Sequence, residues 1–330
     1  MNEYQFVRKN RERWKALDER LLANKLDADE LRDNYILLTD DLAYAQTFFP
    51  DTDTEKYLNA AATKLHKKIY LNSSGSWQQL LHFFQREVPA VCLESRNAIW
   101  ASLFLFCLFV SIGFFSGQQD EQMLRTILGD AYVRLTESNI SSGDPLGVYG
   151  QSPGSDMFVR IASNNIQVSF LAYVMGIFAN IGTLAIMLNN GIMLGAFLQF
   201  FYAQDLFSLA FSTIFLHGAL EISAIILAGA AGFMLGNGLL FPGTHSRKRS
   251  LILAVRKSMK LIFSLVPVFV VAALIESFLT RHYLEVNAGV RWFVVLLSFA
   301  FIAWYYFIYP LRLRSKKDVF IPLKSALDDE

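Results

Sequence analysis

The chain has 330 residues, of which 53% are hydrophobic, 14% aromatic and only 18% charged, and its formal net charge is +1. This composition excludes a disordered chain, and the charge balance gives no electrostatic basis for binding nucleic acid. Two cysteines are too few for a disulfide framework or a four-cysteine zinc site. The positive mean hydropathy of +0.32 therefore indicates an integral membrane protein.

The N-terminal part has the charge content of a soluble domain and predicts three amphipathic helices. Apolar residues recur at helical spacing over 4–24 and 28–48, and Pro50 ends the second pattern because proline cannot continue a helix. A third helix is predicted over 54–70, with Asp51 or Asp53 as its N-cap. Three helices of this length predict a small bundle.

We expect residues 1–75 to form a cytosolic helical head with a structural or docking role. Residues 76–97 mix aromatic and polar side chains and predict an amphipathic linker helix. Two positions for this linker fit the pattern equally: in the lipid interface, or packed on the head as a fourth helix.

The transmembrane domain is predicted over residues 98–310, because apolar runs there reach the length of about 20 residues that crosses a bilayer. The stretch 191–241 is too long for one crossing and is interrupted by Asp205, so it is divided into two. Whether Gly191 to Ala203 belongs to a full span or to a re-entrant helix stays open. The predicted spans number six: 98–117, 166–188, two within 191–241, 251–279 and 290–309. The fold class is thus all-α, a polytopic helix bundle preceded by a small helical head.

The basic residues predict the orientation of the chain in the bilayer. Residues 242–260 hold six Lys or Arg and no acidic residue, and the tail 311–330 is basic and then acidic. Both are expected to face the cytoplasm by the positive-inside rule. Six spans then place both termini in the cytoplasm and the polar loop 118–157 outside.

Small residues recur within the predicted spans and let helix backbones approach closely. Gly191 and Gly195 are four residues apart, as are Gly232 and Gly236, so each pair shares one helix face. We expect these glycines to pack the bundle internally, with a subunit interface as the alternative. The packing set is Gly176, Gly182, Gly191, Gly195, Gly229, Gly232 and Gly236.

Polar residues inside the membrane form the candidate site. His217 and Glu221 are four residues apart and project from one face of a predicted helix, and Glu276 lies near the far end of the fifth span. Asparagine tolerates the backbone of a helix break. The three asparagines in this set are Asn180, Asn189 and Asn190.

We expect these six residues to form a polar clamp between helices; a substrate path, or a proton or ion relay, is the alternative. No metal site is predicted, because a metal would need at least one further ligand from another helix. Phosphate-binding loops, nucleophile elbows and zinc-protease motifs are absent from the sequence. We therefore predict no catalytic residue and no cofactor.

Several segments resemble the stage II sporulation protein M family over nearly the whole chain. The most specific is His217-Gly218-Ala219-Leu220-Glu221, followed by Ala228-Gly229-Ala230-Ala231-Gly232. Further matching segments are Ile161 to Asn165, Leu188 to Gly195, and the head pattern of Phe6, Trp14, Leu17, Tyr35, Pro50 and Leu58. The head is similar to the long form of that family.

The resemblance implies a multi-pass protein of the bacterial cytoplasmic membrane that anchors cell-wall-degrading partners during spore engulfment. The compact namesake lacks the head, so fold and location are implied more directly than the process. We expect a non-enzymatic scaffold, a homodimer in the lipid bilayer, with envelope or cytosolic protein partners. A transporter or channel is the alternative, and a membrane-embedded metalloenzyme is the third hypothesis.

Overall fold

The computed structural model describes residues 2–22, 28–71, 76–119, 121–147 and 154–315, and these residues form helices and turns without a strand. The chain divides into two compact units, Met1–Leu81 and His82–Glu330. The tail 316–330 lies outside the described residues, as does the Asn72–Gly75 part of the predicted break after the head. The all-α fold class is confirmed.

The first unit contains the three predicted head helices, α1 (Glu3–Leu22), α2 (Ala28–Phe48) and α3 (Asp53–Leu71), and a short α4 (Ser76–His82) that ends at the boundary. Their apolar faces meet in one core. Its buried members include Phe6, Trp14, Leu17, Leu31, Leu38, Ala45, Leu58 and Leu65.

Polar contacts also hold the head helices together. The Trp14 indole donates to Asp41 Oδ2 at 2.7 Å, and Arg13 contacts the same carboxylate. The predicted N-cap of α3 was wrong: Thr52 precedes the helix, and its hydroxyl accepts the amide of Glu55.

The second unit begins with a π-helical turn and α5 (Val88–Glu94), which lie in the predicted linker. Ion pairs tie this segment to α12 (Arg247–Phe278): Glu87 meets Lys260 at 2.9 Å, and Glu94 meets Lys257 at 3.0 Å. Burial raises the pKa of the Cys92 thiol to about 12, so that side chain is an apolar packing element.

Five helices in the described part of the chain are long and apolar enough to cross a membrane. They are α6 (Arg96–Gln119), α10 (Ile181–Ala203), α11 (Phe207–Leu240), the region Arg247–His282 that contains α12, and the region Ala288–Leu313 that begins with α13 (Ala288–Ile302) and ends within α14 (Tyr309–Ser315). The predicted division of 191–241 is present, because Asp205 adopts a positive φ of 59° between α10 and α11. The residues Gly191 to Ala203 thus belong to a helix of 23 residues.

The predicted span 166–188 was wrong in its limits. The helix α9 (Gly154–Val174) ends in a 3₁₀ turn, and α10 starts only at Ile181. Ala179 and Asn180 between them have positive φ values of 52° and 67°. Asparagine tolerates this left-handed conformation better than most residues, which lets the chain reverse there.

The outer loop predicted over 118–157 contains two helices that the sequence pattern did not predict. These are α7 (Glu121–Leu128) and α8 (Asp130–Ser141). Arg125 on α7 joins them by contacting Asp130 at 3.1 Å and Glu137 at 2.8 Å. The segment is therefore a folded part of the second unit.

Helix α11 is the centre of the second unit. Its apolar stretch is 89% buried, compared with 28% for α6 and for the region that begins with α13. It packs against α6, α9, α10, α12 and α13. A helix buried on all sides must be hydrophobic on all sides, and α11 has this composition.

The structure places the predicted packing glycines at contacts within one chain. A Cβ on Gly191 would lie 2.6 Å from the Cβ of Phe109 on α6, and one on Gly195 would lie 2.7 Å from the Phe114 amide nitrogen. The remaining contacts of this kind are Gly182 with Met175, Gly176 with Gly232, Gly229 with Met187, Gly232 with Thr183, and Gly236 with Asn180.

These contacts give the helix directions. Ser102 on α6 meets Met187 on α10, and eight residues further along each helix Val110 meets Gly195. Helices α6 and α10 therefore run parallel.

A buried polar cluster as the candidate functional site

Three ionisable side chains meet at the interface of α11 and α12. His217 and Glu221 lie one turn apart on α11, and Glu276 faces them from α12. Their exposed fractions are only 5%, 9% and 7%. One nitrogen or oxygen atom from each lies within 4.8 Å of the others, and His217 Nε2 is 3.8 Å from Glu276 Oε2. We call these three residues the polar cluster.

Two further side chains orient the polar cluster. Asn165 Nδ2 on α9 donates a 2.7 Å hydrogen bond to Glu221 Oε1. Thr280 Oγ1, one turn after Glu276, lies 3.0 Å from His217 Nδ1. The Thr280 hydroxyl also lies 3.5 Å from the Ile275 carbonyl oxygen, to which it can donate. Three helices thus contribute to one buried group.

The other predicted polar residues lie elsewhere. Asn190 donates to the Ile186 carbonyl of its own helix, and Asn189 is exposed on α10. Asn180 lies at the turn before α10 and donates to Asn237 at the far end of α11. The structure therefore brings together only half of the six predicted residues.

Three buried hydroxyl groups close in sequence to the polar cluster or to Asn165 have no hydrogen-bond partner in the described part of the chain. They are Thr213 Oγ1, Ser169 Oγ and Ser277 Oγ. Thr213 lies one turn before His217 on α11, Ser169 one turn after Asn165 on α9, and Ser277 next to Glu276. Buried hydroxyl groups usually have hydrogen-bond partners, so three unpartnered ones on the helices that carry the polar cluster and Asn165 are unusual.

A second set of contacts joins the end of α12 to the loop segment after α8. Tyr283 accepts a hydrogen bond from the Leu146 amide at 3.1 Å and donates one to Asp144 Oδ1. Burial, together with the Asp144 carboxylate, raises the pKa of Tyr283 to about 12, so the phenol remains protonated and keeps donating. The buried Arg291 guanidinium donates to the Tyr283 carbonyl at 2.7 Å.

The family model for stage II sporulation protein M matches residues 102–281, which is more than half of the chain. The chain belongs to the stage II sporulation protein M family. The polar cluster, Asn165 and Thr280 all lie within the matched residues, so the site is part of the family's domain. The resemblance expected from the His-Gly-x-x-Glu segment is confirmed.

The other comparisons with known proteins do not indicate a function. A family model described as a domain of unknown function, DUF8413, matches residues 4–71. The uncharacterized protein MJ0706 of Methanocaldococcus jannaschii is 26% identical over 198 residues, which cover 59% of this chain and 83% of the relative. No solved structure matches the chain.

Sequence reasoning missed Asn165 and Thr280 as members of this site. Asn165 lies with Asn164 at the entrance to the predicted second span, but the predicted set of polar site residues did not include it, and Thr280 fell beyond the predicted end of its span. Both lie far in sequence from the groups that they contact. A weak signal for Thr280 was present, because it follows Glu276 by one helical turn.

Proposed function

We propose that this protein is a non-enzymatic scaffold of the cytoplasmic membrane, whose close-packed helices anchor envelope or cell-wall-remodelling partners. The observation that carries the proposal is where the structure places the six polar residues that, in the alternative hypothesis, would line a transport path. The ionisable ones are gathered in one buried group among α9, α11 and α12, while Asn189 and Asn190 lie on a different helix, α10, where Asn190 donates to a carbonyl of its own helix. Side chains that lined a transport path would follow one another along it.

The glycine contacts support the same reading. At Gly176 and Gly232 a backbone atom of one segment would obstruct any Cβ on the other, so these segments approach as closely as the chain allows. Such an interior favours a rigid support over an element that opens and closes. Because the glycine faces are used within one chain, a homodimer would form through another surface.

We also propose six membrane crossings with both termini in the cytoplasm. Since α6 and α10 run parallel and both cross, the chain must return across the bilayer between them, and α9 is the helix available. Although α9 is not one of the five helices that are both long and apolar enough to cross, its 21 residues reach about 31 Å, which is long enough to span the hydrocarbon core. The basic loop after α11 then faces the cytoplasm with the head.

Reconstitution in liposomes separates the scaffold from the transporter. The purified chain should give no proton, sodium or potassium flux above that of protein-free vesicles. A flux that Glu276→Gln abolishes, while Glu285→Gln in the exposed loop leaves it unchanged, would refute the scaffold reading and support a relay through the polar cluster.

Partner assembly is tested by quantitative co-purification from native membranes in mild detergent. We expect the same envelope proteins to be recovered at near-equal amounts, and a tagged version of each should recover this chain in return. An unrelated multi-pass protein expressed at the same level provides the control. Recovery of a homo-oligomer alone would contradict partner anchoring.

A further inference from the structure

We propose that His217, Glu221 and Glu276 bind one divalent transition-metal ion of the zinc class between α11 and α12. A metal at His217 and Glu221 needs a further ligand from another helix, and the structure places Glu276 of α12 within 4.8 Å of both groups. This inference does not depend on the scaffold role, because a bound ion would fix the helices whatever the protein anchors.

Charge balance is the first argument for the ion. Two ionised carboxylates in a buried membrane interface carry a large desolvation cost unless they take up protons or a positive group balances them. Besides the two glutamates, the polar cluster contains one histidine and no lysine or arginine, and a neutral imidazole brings no charge. One divalent cation with two carboxylates and a neutral imidazole gives a group with no net charge, which is the composition that a low-dielectric site favours.

The hydrogen bonds around the polar cluster orient its atoms as metal ligands are oriented. When the Thr280 hydroxyl donates to Ile275, it accepts from His217 Nδ1–H, which leaves the Nε2 lone pair directed toward Glu276. Asn165 fixes one oxygen of Glu221 and leaves the other for coordination. Ligating histidines commonly donate their second ring nitrogen, and ligating carboxylates are commonly hydrogen-bonded.

One ligand pair lies close to the spacing that zinc requires, and all three pairs lie within 4.8 Å. Ligand atoms around a tetrahedral zinc lie about 3.3 Å apart, given bonds of about 2.0–2.1 Å. The 3.8 Å between His217 Nε2 and Glu276 Oε2 exceeds this by about half an ångström, which a small side-chain rotation closes. Three protein ligands leave a fourth position for water, and the buried, unpartnered Thr213 hydroxyl lies one turn before His217 on the same helix.

Metal analysis of the full chain tests the proposal directly. The protein is purified in mild detergent with a tag that contains no histidine and without chelators, and its metals are measured by inductively coupled plasma mass spectrometry. We expect about one zinc per chain, and loss of that ion in His217→Asn, Glu221→Gln and Glu276→Gln. The matched controls His245→Asn and Glu285→Gln change exposed residues of the same types and should retain it.

A second measurement uses only the wild-type chain, so that it stands even where a variant fails to fold. The protein is stripped with a chelator and titrated with Zn²⁺ while its thermal unfolding is followed by circular dichroism. A ligand that binds only the folded state raises the folding equilibrium constant about a thousandfold at a free concentration of 1,000 times its Kd. We therefore expect the midpoint to rise with Zn²⁺ and to return to its stripped value on chelation.

Two results would overturn the proposal. One is wild-type protein that carries no stoichiometric transition metal and shows no change in midpoint with Zn²⁺. The other is a metal content that remains unchanged in folded His217→Asn and Glu276→Gln. Either result would mean that the polar cluster is held by shared protons and hydrogen bonds alone.

Discussion

The crossing of α6 and α10 gives a sharp quantitative prediction, because its closest contact is between backbones. A Cβ on Gly195 would lie 2.7 Å from the Phe114 amide nitrogen and still closer to the Val110 carbonyl oxygen. Non-bonded atoms attract best at about 3.5–4.0 Å, so Gly195→Ala forces the helices apart by about 1 Å. Main-chain atoms cannot rotate away, so the cost is at the upper end of the overpacking range, about 3 kcal/mol.

Gly218 on α11 provides a matched control in a buried helix. A Cβ there would lie 3.5 Å from Ile222 Cδ1 and 3.7 Å from Ile214 Cγ2, which is ordinary van der Waals contact. Alanine is favoured over glycine in a helix by about 1 kcal/mol. Gly218→Ala should therefore stabilise by about 1 kcal/mol and Gly195→Ala should destabilise by about 2 kcal/mol, a difference of about a hundredfold in the folding equilibrium constant.

The assay is reversible unfolding of the purified chain in mixed micelles, followed by circular dichroism as the denaturing detergent increases. Gly195→Ala should unfold at a lower detergent fraction than wild type, and Gly218→Ala at a higher one. If the two variants unfold together, backbone contact at this crossing does not control stability, and the packing argument is wrong.

Three further outcomes are expected. Asn165→Ala leaves a buried carboxylate without its amide donor and should destabilise the chain by about 1–3 kcal/mol in the same assay, whereas Asn164→Ala, at an exposed site of the same helix, should not destabilise it. Tyr283→Phe should cost about 1–2 kcal/mol and accelerate hydrogen exchange over 121–147, because a buried amide loses its acceptor; unchanged exchange would contradict the role of this contact. Burial raises the pKa of Glu87, but the Lys260 ammonium and a nearby imidazole outweigh it and hold that pKa below 4.5. The stabilisation that the Glu87–Lys260 ion pair provides is therefore complete above pH 4.5 and is lost as the pH falls through the lower pKa of the folded state. Hydrogen exchange over 88–94 should accelerate over that pH range, and Glu87→Gln should abolish the acceleration.

Elements that depend on local pattern could be predicted from the sequence. The head helices α2 and α3 match their predicted limits within one residue, because apolar spacing and Pro50 act locally. The division at Asp205 follows from the cost of a charge in hydrocarbon, so it too could be predicted. These signals lie in the segment itself and need no knowledge of its neighbours.

The reversal at Asn180 and the two outer helices could not be predicted in the same way. The chain turns between α9 and α10 at two non-glycine residues with positive φ, while the nearby glycines serve close packing instead. Hydropathy stays high through the turn, so a window average joins the two helices. The short helices α7 and α8 are polar, and they depend on contacts such as those of Arg125 that only the folded chain provides.

The contact at Gly176 and the site at Glu221 are parts of one helix packing arrangement. Gly176 follows Asn165 by eleven residues, and Gly232 follows Glu221 by eleven residues. Eleven residues make about three turns and about 16 Å of α-helix, so the hydrogen bond and the glycine contact, which lies at the 3₁₀ turn that ends α9, follow the facing sides of α9 and α11, and these two helices run parallel. The amide of Asn165 reaches Glu221 because glycine lets the two segments come together three turns further along. Close packing in this family domain therefore also places the polar groups, and a side chain at either glycine would move the donor away from the carboxylate.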